Sequence, residues 1–520
     1  MNNKKSITGI ALTVALGGLL MGFDASVISG VIKFIEAEFE LTKIELGWAV
    51  SSLTLTSTLA MMVAGPLSDR FGRRSMLRVA AVLYAVSAIF SALAPDFTSL
   101  VIARMIGGLG VGASLILAPM YIAEISPAEI RGRMVSFNQL NIVIGISLAF
   151  FTNYLILVFS QSDASWAQAL GFDVYTWRWM LGLETLPAVI YFVGLFFVPC
   201  SPRWLVMKQR KEEAIAIMQR YNESAQVEAD ILAIETSIRS EEKKEKIRIA
   251  ELFKPALTLV LTIGIVIAIL QQITGINSVF FYAPMIFEQS GIGTDASFVQ
   301  AILVGITNLV FTVLALAFID RFGRKPLLLF GVSGIALCMF LLAYGFNAAT
   351  YNLTEEKVET LSEGIDRNVI APMIGVQYKS DVAFKKAIKE TLGVMKAAEF
   401  ESELIKAAIN MNPTLILIGI LGFVASFAIS LGPVMWVLFS ELFPNWIRGL
   451  AISFVGLINS AVSFTVQLVF PWELDTLGNA ATFLIYGIFA VAGLIFVIRV
   501  LPETKGKTLE ELEKQLIKSE

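Results

Sequence analysis

Twelve long apolar segments follow one another along the chain, and they limit its fold more than any other feature. Each reaches the roughly 20 residues that a helix needs to cross a hydrocarbon layer of ~30 Å. Only 16% of the residues are charged and 56% are hydrophobic, whereas soluble domains contain roughly 25% charged residues. We therefore expect an all-α polytopic membrane protein with twelve transmembrane helices. The segments are 7–32, 46–68, 75–94, 98–122, 133–159, 176–198, 255–289, 296–319, 325–346, 412–440, 447–470 and 478–501.

Lysine and arginine are concentrated in alternate short loops. The loops after the second and eighth segments read DRFGRRSMLR and DRFGRK, and those after the fourth and tenth contain Arg131, Arg133 and Arg448. The opposite loops APDFTS, EQSGIGTDAS and WELDTLG contain neither residue type. Because short cytoplasmic loops carry the positive charge, we expect a multi-pass protein of the cell (inner) membrane with both termini in the cytoplasm.

Two repeated motifs indicate that the chain consists of two related halves. DRFGR repeats at an offset of 251 residues and Glu-x-x-Pro-x-x-x-Arg-Gly at 317, a difference of 66 that matches the polar insert 347–411. Parallel duplicated halves around a central cavity are typical of alternating-access transporters. We expect two pseudo-symmetric six-helix bundles, 1–200 and 255–501, the second containing the external insert. A cytoplasmic helical linker, 201–254, joins them, and a cytoplasmic tail, 502–520, follows.

The linker and the insert both contain helical patterns. In the linker, EEAIAIMQRY places apolar residues at helical spacing and predicts short surface helices, with a solvated linker as the alternative. In the insert, Phe384, Ile388, Leu392 and Met395 share one helical face, which predicts an external helical cap.

Asp24 lies deep inside the first apolar segment, in the run LGGLLMGFDASVISG. A lone carboxylate at this depth costs a few kcal/mol, and such acids are functional by default. Pairing with a buried arginine, or capping of a broken helix, is the structural alternative. Because the chain contains no histidine, any proton transfer must use aspartate or glutamate.

Uncharged amide side chains occur within several apolar segments. In the seventh segment, the helix is weakened at Thr274–Gly275, with two glutamines before this point and an asparagine after it. In the tenth segment, a tryptophan follows the kink expected at Gly432–Pro433. Amides offer donors and acceptors, and an aromatic face packs against the C–H groups of a sugar, so this set favours a neutral polyhydroxylated ligand over an ion. A single amide is more often an interhelical hydrogen bond. The candidates are Gln139, Gln271, Gln272, Asn277, Asn308, Trp436 and Asn459.

The repeated motifs place acidic and basic residues at the cytoplasmic helix ends of both halves. We expect these residues to pair across neighbouring helices and to latch the cytoplasmic side in one conformation. The alternative is that they only anchor helix ends. The residues are Asp69, Arg73, Glu124 and Arg131, and Asp320, Arg324, Glu441 and Arg448.

No pattern in the sequence indicates an enzyme. Cys200 and Cys338 lie far apart and suggest neither a disulfide framework nor a metal site. GGLGVG at Gly107–Gly112 mimics a nucleotide loop but lies within an apolar span, where it predicts a helix-packing face. We expect no catalytic residues, no metal, no cofactor and no nucleic-acid partner.

Six motifs resemble the sugar porter family of the major facilitator superfamily, and the resemblance covers nearly the whole chain. The motifs are GPLSDRFGRR, PMYIAEISPAEIRG, SPRWL, QQITGINSVFFYAP, GPVMWVLFSELFPNWIRG and PETKG. Within that family, the chain most resembles the bacterial D-xylose–proton symporters, through the motifs GFDASVISG, SFNQL and SDASW.

The resemblance implies the major facilitator fold and specific roles for individual residues. Asp24, Arg104 and Glu184 are expected to form the proton-coupling group. The expected function is proton-coupled import of a monosaccharide of the D-xylose or D-glucose type, by a monomer in the lipid bilayer. A passive facilitator and a non-transporting sugar sensor are the alternatives. The residues expected to contact the sugar are Gln139, Gln271, Gln272, Asn277, Trp436 and Asn459.

Overall fold

The computed structural model describes residues 2–127, 130–221, 224–242, 248–359, 361–362, 364–507 and 509–516. Helices account for most of this part of the chain. In the first half they are α1 (Asn2–Glu38), α2 (Lys43–Phe71), α3 (Arg73–Ala92), α4 (Phe97–Ile125), α5 (Arg131–Ser160), α6 (Ser165–Ala169), α7 (Thr176–Gly182) and α8 (Thr185–Gly194).

The linker and the second half continue the helical pattern. The linker contains α9 (Pro202–Met207), α10 (Lys211–Tyr221) and α11 (Ser224–Glu242), followed by 3₁₀ turns at Ile249–Phe253 and Pro255–Leu257. The next helices are α12 (Thr258–Ile273), α13 (Ile276–Glu288), α14 (Thr294–Phe322) and α15 (Arg324–Asn347). The insert contains β1 (Thr350–Asn352), α16 (Glu355–Glu359), α17 (Arg367–Ile370), a 3₁₀ turn at Ala371–Met373, β2 (Gln377–Tyr378), α18 (Asp381–Leu392), α19 (Val394–Ala408) and β3 (Ile409–Asn410). The last helices are α20 (Pro413–Ile429), α21 (Leu431–Leu442), α22 (Arg448–Thr476), α23 (Asn479–Arg499) and α24 (Leu509–Leu516).

Within the described residues, eleven helical segments are long and apolar enough to cross a membrane. The sixth predicted segment, 176–198, is not one continuous helix, because α7 and α8 are separated at Leu183–Glu184. Pro187 lacks the N–H that would bond to the carbonyl of Leu183, and the N–H of Leu186 bonds to that carbonyl instead, at 3.2 Å. The all-α polytopic fold class is confirmed, with an interruption in this segment that the sequence analysis did not predict.

Two further segments are broken close to where the sequence weakens them. The seventh divides into α12 and α13 at Gly275, whose φ of 89° is left-handed and therefore favours glycine. The tenth divides into α20 and α21 at Ser430, two residues before the predicted Gly432–Pro433 kink. Pro433 removes the N–H that would bond to the carbonyl of Ile429, so the helix opens one turn before the proline.

The chain divides into two compact units. The first comprises Met1–Val27, Ser52–Ala149 and Arg178–Ile247. The second comprises Ile28–Ser51, Phe150–Trp177 and Arg248–Glu520. Helices α1, α2, α5 and α7 therefore contribute residues to both units.

In the first unit, glycines bring two helices into close contact. A methyl group added at Gly108 would lie 2.4 Å from the carbonyl oxygen of Leu53, and one at Gly112 would lie 2.1 Å from that of Ser57. Helix α4 therefore packs against α2 through a face on which only glycine fits, as small residues allow between membrane helices. The linker adds a small apolar cluster of its own, formed by Leu205, Ala214, Met218, Val227 and Ile231.

In the second unit, the insert 347–411 has its own core and a small sheet. Its three strands pair antiparallel in the order β2-β1-β3. Buried Tyr351, Phe384, Ile388 and Leu404 belong to one apolar cluster. The predicted helical face ends at Leu392, because Gly393 with φ 78° separates α18 from α19; the side chain of Met395 lies outside what the structure describes.

Candidate functional site

Asp24 and Arg104 form a buried ion pair in the first unit. Arg104 Nη1 lies 2.8 Å from Asp24 Oδ1, and both terminal guanidinium nitrogens, Nη1 and Nη2, donate to the backbone carbonyl of Asp24, at 3.2 and 3.3 Å. Each residue is only 1% exposed. Because removing one partner of a buried pair leaves an uncompensated charge, the protonation state of Asp24 and the position of Arg104 depend on each other.

Glu184 is a second buried acid in the same unit. It lies at the break between α7 and α8, is 2% exposed, and interacts electrostatically with both Asp24 and Arg104. Its Oε1 accepts no hydrogen bond from the described residues. Two carboxylates and one guanidinium therefore lie together in the interior of the first unit.

Gly107 and Ser87 adjoin the other carboxylate oxygen of Asp24. A methyl group added at Gly107 would lie 2.7 Å from Asp24 Oδ2 and 2.5 Å from Ser87 Oγ. Asp24 Oδ2 accepts no hydrogen bond within the described part of the chain. From the sequence, the Gly107–Gly112 run was expected only to pack helices, since nothing in a linear sequence shows that Asp24 faces Gly107.

Four of the predicted amides form one hydrogen-bonded cluster in the second unit. Gln272 Nε2 donates to Gln271 Oε1 at 3.1 Å and to Asn459 Oδ1 at 3.2 Å. Asn459 Nδ2 donates to Gln271 Oε1 at 2.8 Å and to the carbonyl of Ala268 at 2.9 Å. Asn277 Nδ2 donates to Gln272 Oε1 at 2.8 Å. The break at Gly275 makes this possible, because it brings Asn277 on α13 back against Gln272 on α12.

The cluster extends to two residues that the sequence analysis missed. Asn277 Nδ2 donates to Ser463 Oγ at 2.7 Å, and Gln467 Nε2 donates to the same oxygen at 2.8 Å. Ser463 and Gln467 follow Asn459 at intervals of four residues, so all three share one face of α22. That spacing was visible in the sequence and is the signal that could have identified them.

The other predicted sugar contacts lie outside this cluster. Asn308 is buried on α14, where it accepts a hydrogen bond from Thr312 at 3.5 Å. Trp436 on α21 is 49% exposed and packs edge-on against Phe439. Gln139 is exposed on the part of α5 that belongs to the first unit.

Arg73, the last residue of the first DRFGR motif, binds two acidic side chains. Its Nη1 lies 2.7 Å from Asp69 Oδ1 and its Nη2 3.1 Å from Glu124 Oε1. Ser201 also donates to Glu124. Arg131 is exposed and donates to the carbonyl of Ser126 at 3.5 Å, so the contact seen among the described residues is with a helix end.

The second repeat has the corresponding pair. Arg324 Nη2 lies 2.6 Å from Glu441 Oε1, and Thr504 donates to Glu441 Oε2 at 2.6 Å. Arg448 donates to the carbonyl of Phe443 at 3.0 Å, as Arg131 does to its own helix end. The side chain of Asp320 lies outside the described residues.

Known sugar transporters are similar to this chain over nearly its whole length. The family model described as "Sugar (and other) transporter" matches residues 10–365 and 395–516. The arabinose-proton symporter of Bacillus subtilis (strain 168) is 35% identical over 509 residues, covering 98% of this chain and 95% of that protein. The D-xylose-proton symporter of Escherichia coli (strain K12) is 34% identical over 543 residues, covering 98% and 96%. Among solved structures, the partially occluded inward open conformation of the xylose transporter XylE from E. coli matches with a TM-score of 0.73 at 31% identity, covering 96% of this chain and 99% of that one.

Proposed function

The chain belongs to the sugar porter family of the major facilitator superfamily, and on that premise we propose that it imports a monosaccharide together with a proton by alternating access. It is a multi-pass membrane protein and a transporter rather than an enzyme. The relatives named above are sugar-proton symporters, which favours coupled transport over a passive facilitator or a non-transporting sensor. The substrate is a pentose or hexose of the D-xylose or D-glucose type.

The observation that carries the coupling proposal is the buried Asp24–Arg104 pair. Deprotonated Asp24 holds Arg104 at 2.8 Å. Protonation of Asp24 removes the charge that neutralises Arg104, so the guanidinium is released and the helices rearrange around the bound sugar. Glu184, which interacts with both residues, is the second acid of the proton-coupling group. A potential of roughly 100 mV and one pH unit together supply about 3.7 kcal/mol per proton, enough for ~500-fold accumulation.

The amide cluster supports binding of a neutral polyhydroxylated ligand. Each amide NH₂ group has two protons, and those of Gln272, Asn277 and Asn459 are all donated within the cluster or to Ala268 and Ser463. Asn277 Oδ1 accepts no hydrogen bond from the described residues. The cluster therefore offers mainly acceptor oxygens, and sugar hydroxyl groups bind to it as donors. We assign the sugar contacts to Gln271, Gln272, Asn277 and Asn459, with Gln139, Asn308 and Trp436 contributing.

The ion pairs at the repeated motifs act as a cytoplasmic latch in this proposal. The pairs Arg73–Glu124 and Arg324–Glu441 join the ends of different helices within each unit, so they form in one conformation and separate in another. Both chain termini lie in the cytoplasm, the protein functions as a monomer in the lipid bilayer, and the insert 347–411 lies on the external side.

Substitution of Asp24 tests the coupling. We expect Asp24→Asn to abolish uptake above equilibrium and sugar-induced alkalinisation of the medium, while sugar counterflow persists, because asparagine keeps an acceptor for Arg104 but cannot carry the proton. The measurement is counterflow and proton flux in proteoliposomes against a panel of pentoses and hexoses. Asp173→Asn, at an exposed position between α6 and α7, is the matched control.

The same assay separates the alternatives. Unchanged accumulation by Asp24→Asn contradicts the role of Asp24. Counterflow without proton movement in the unaltered protein identifies a passive facilitator. Sugar binding without counterflow identifies a sensor.

A further inference from the structure

Gln467 is buried on α22 and is held at both its backbone and its side chain. It is 1% exposed. Pro471, four residues later, has no N–H to bond to the carbonyl of Gln467, and the hydroxyl of Tyr282 donates to that carbonyl at 2.9 Å. The side-chain amide donates to Ser463 Oγ at 2.8 Å. The proline and the tyrosine thus fix the position from which the Gln467 side chain reaches toward the amide cluster.

Ser463 connects Gln467 to Asn277 through hydrogen bonds. A serine hydroxyl oxygen has two lone pairs, and that of Ser463 accepts from Gln467 Nε2 at 2.8 Å and from Asn277 Nδ2 at 2.7 Å. Asn277 donates its second amide proton to Gln272 Oε1 at 2.8 Å. Both amide protons of Asn277 are therefore directed into the protein, and its carbonyl oxygen is the atom that remains for a ligand.

We infer that Gln467 is a positioning residue that acts through Ser463 to orient the Asn277 carbonyl oxygen, and thereby sets which arrangement of sugar hydroxyl groups is preferred. The inference rests on the proposed function, since it assumes that the amide cluster binds sugar. Gln467 itself does not contact the ligand. Without its donation, Ser463 Oγ can turn away from Asn277, and the asparagine amide is free to rotate and present its NH₂ group instead of its oxygen.

A double-mutant cycle tests this inference on the full-length protein in lipid nanodiscs. Equilibrium binding of D-xylose, D-glucose and their epimers is measured for Gln467→Met, which keeps the side-chain length but cannot donate, for Asn277→Ala and for the double variant. We expect Gln467→Met to weaken binding of the preferred sugar about tenfold, the loss of one hydrogen bond in a buried network, and to reduce the discrimination between epimers. In the Asn277→Ala background, the same change has less than a twofold effect, because coupled residues are not additive.

Further variants keep the test decisive. Ser463→Ala breaks the same connection and must reproduce the altered sugar preference, even if Gln467→Met does not fold. Thr465→Val, on the exposed face of α22 where the hydroxyl bonds to the carbonyl of Ala461 at 2.9 Å, leaves binding unchanged.

Two results distinguish failure of this inference from failure of the proposed function. If the unaltered protein binds no sugar in the panel, the proposed function is wrong. If it binds sugar but Gln467→Met is as damaging in the Asn277→Ala background as alone, or if no variant changes the epimer preference, Gln467 is only a packing residue.

Discussion

The two carboxylate oxygens of Asp24 have different surroundings, and this difference explains why Gly107 is small. Oδ1 accepts the hydrogen bond from Arg104 at 2.8 Å. Oδ2 faces Gly107 and Ser87, where a methyl group would come within 2.7 Å of it. The pocket therefore accommodates the ion pair only because residue 107 has no side chain.

Gly107→Ala tests this steric requirement. The added methyl group displaces the Asp24 carboxylate or Ser87, so we expect sugar accumulation in proteoliposomes to fall several-fold while counterflow persists. Gly9→Ala on α1, where no atom lies within 4 Å of the added group, is the control, since alanine there gains about 1 kcal/mol of helix propensity. Equal accumulation by Gly107→Ala and the unaltered protein would contradict the assignment.

At the residue scale, the sequence identified the polar side chains that are energetically costly to bury in a membrane, but not all of their neighbours. Asp24 could be singled out because a carboxylate in an apolar span is rare. Its partner Arg104 is 80 residues away, and that pairing entered only through the family resemblance. Ser463 was missed because a serine in a membrane helix commonly bonds to its own backbone and carries no signal by itself.

At the scale of secondary-structure elements, prolines and glycines determine where the helices break. The Thr274–Gly275 break could be predicted, because an amide on each side of a glycine indicated a functional interruption. The break before Pro187 was not predicted, because the apolar run 176–198 has the length of an intact span. The strands of the insert are two or three residues long, too short to show the alternation that identifies a strand.

The insert also contains a partly buried acid whose charge stabilises it. Burial alone raises the pKa of Glu401, but Lys385, Lys43 and the amide of Gln289 outweigh burial and hold the pKa below the ordinary 4.5. The folded insert therefore binds this proton less readily than the unfolded chain does. Its stabilisation is present above pH 4.5 and is lost as the pH falls through the lowered native pKa.

Hydrogen exchange checks this pH dependence. We expect the amides of α18 and α19 to lose protection as the pH falls below 4.5, after correction for intrinsic exchange rates, and Glu401→Gln to weaken that dependence. Glu399→Gln, exposed on the same helix, should retain it. If the Glu401→Gln insert loses protection over the same pH range as the unaltered one, the charge of Glu401 is not responsible.

At the scale of the whole molecule, the duplicated halves are alike in motif but unequal in burial. The side chain of Arg73 is 4% exposed and that of Glu124 is 10%, whereas Arg324 and Glu441 are 12% and 21% exposed. In each half, a residue that follows the last membrane-spanning helix makes a further hydrogen bond beside this ion pair. Ser201 donates to Glu124 in the first, and Glu503 accepts the backbone N–H groups of Arg324 and Lys325 in the second, both at 3.1 Å.

This inequality predicts different costs for equivalent substitutions. Removing one partner of a buried ion pair costs about 3–5 kcal/mol, so Arg73→Ala should lower the midpoint of thermal unfolding in detergent substantially. Arg324→Ala should lower it less, because its pair is more exposed. Arg70→Ala, exposed in the last turn of α2, is the control, and equal losses for Arg73 and Arg324 would contradict this ranking.

The separate core of the insert has a practical consequence for imaging. Small membrane transporters are difficult to align in electron micrographs, because nearly all of their mass lies within the detergent or lipid. Here the cluster around Tyr351 and Phe384 gives the 347–411 segment a folded surface outside the apolar spans. An antibody fragment raised against that surface would serve as a fiducial marker without occupying the amide cluster.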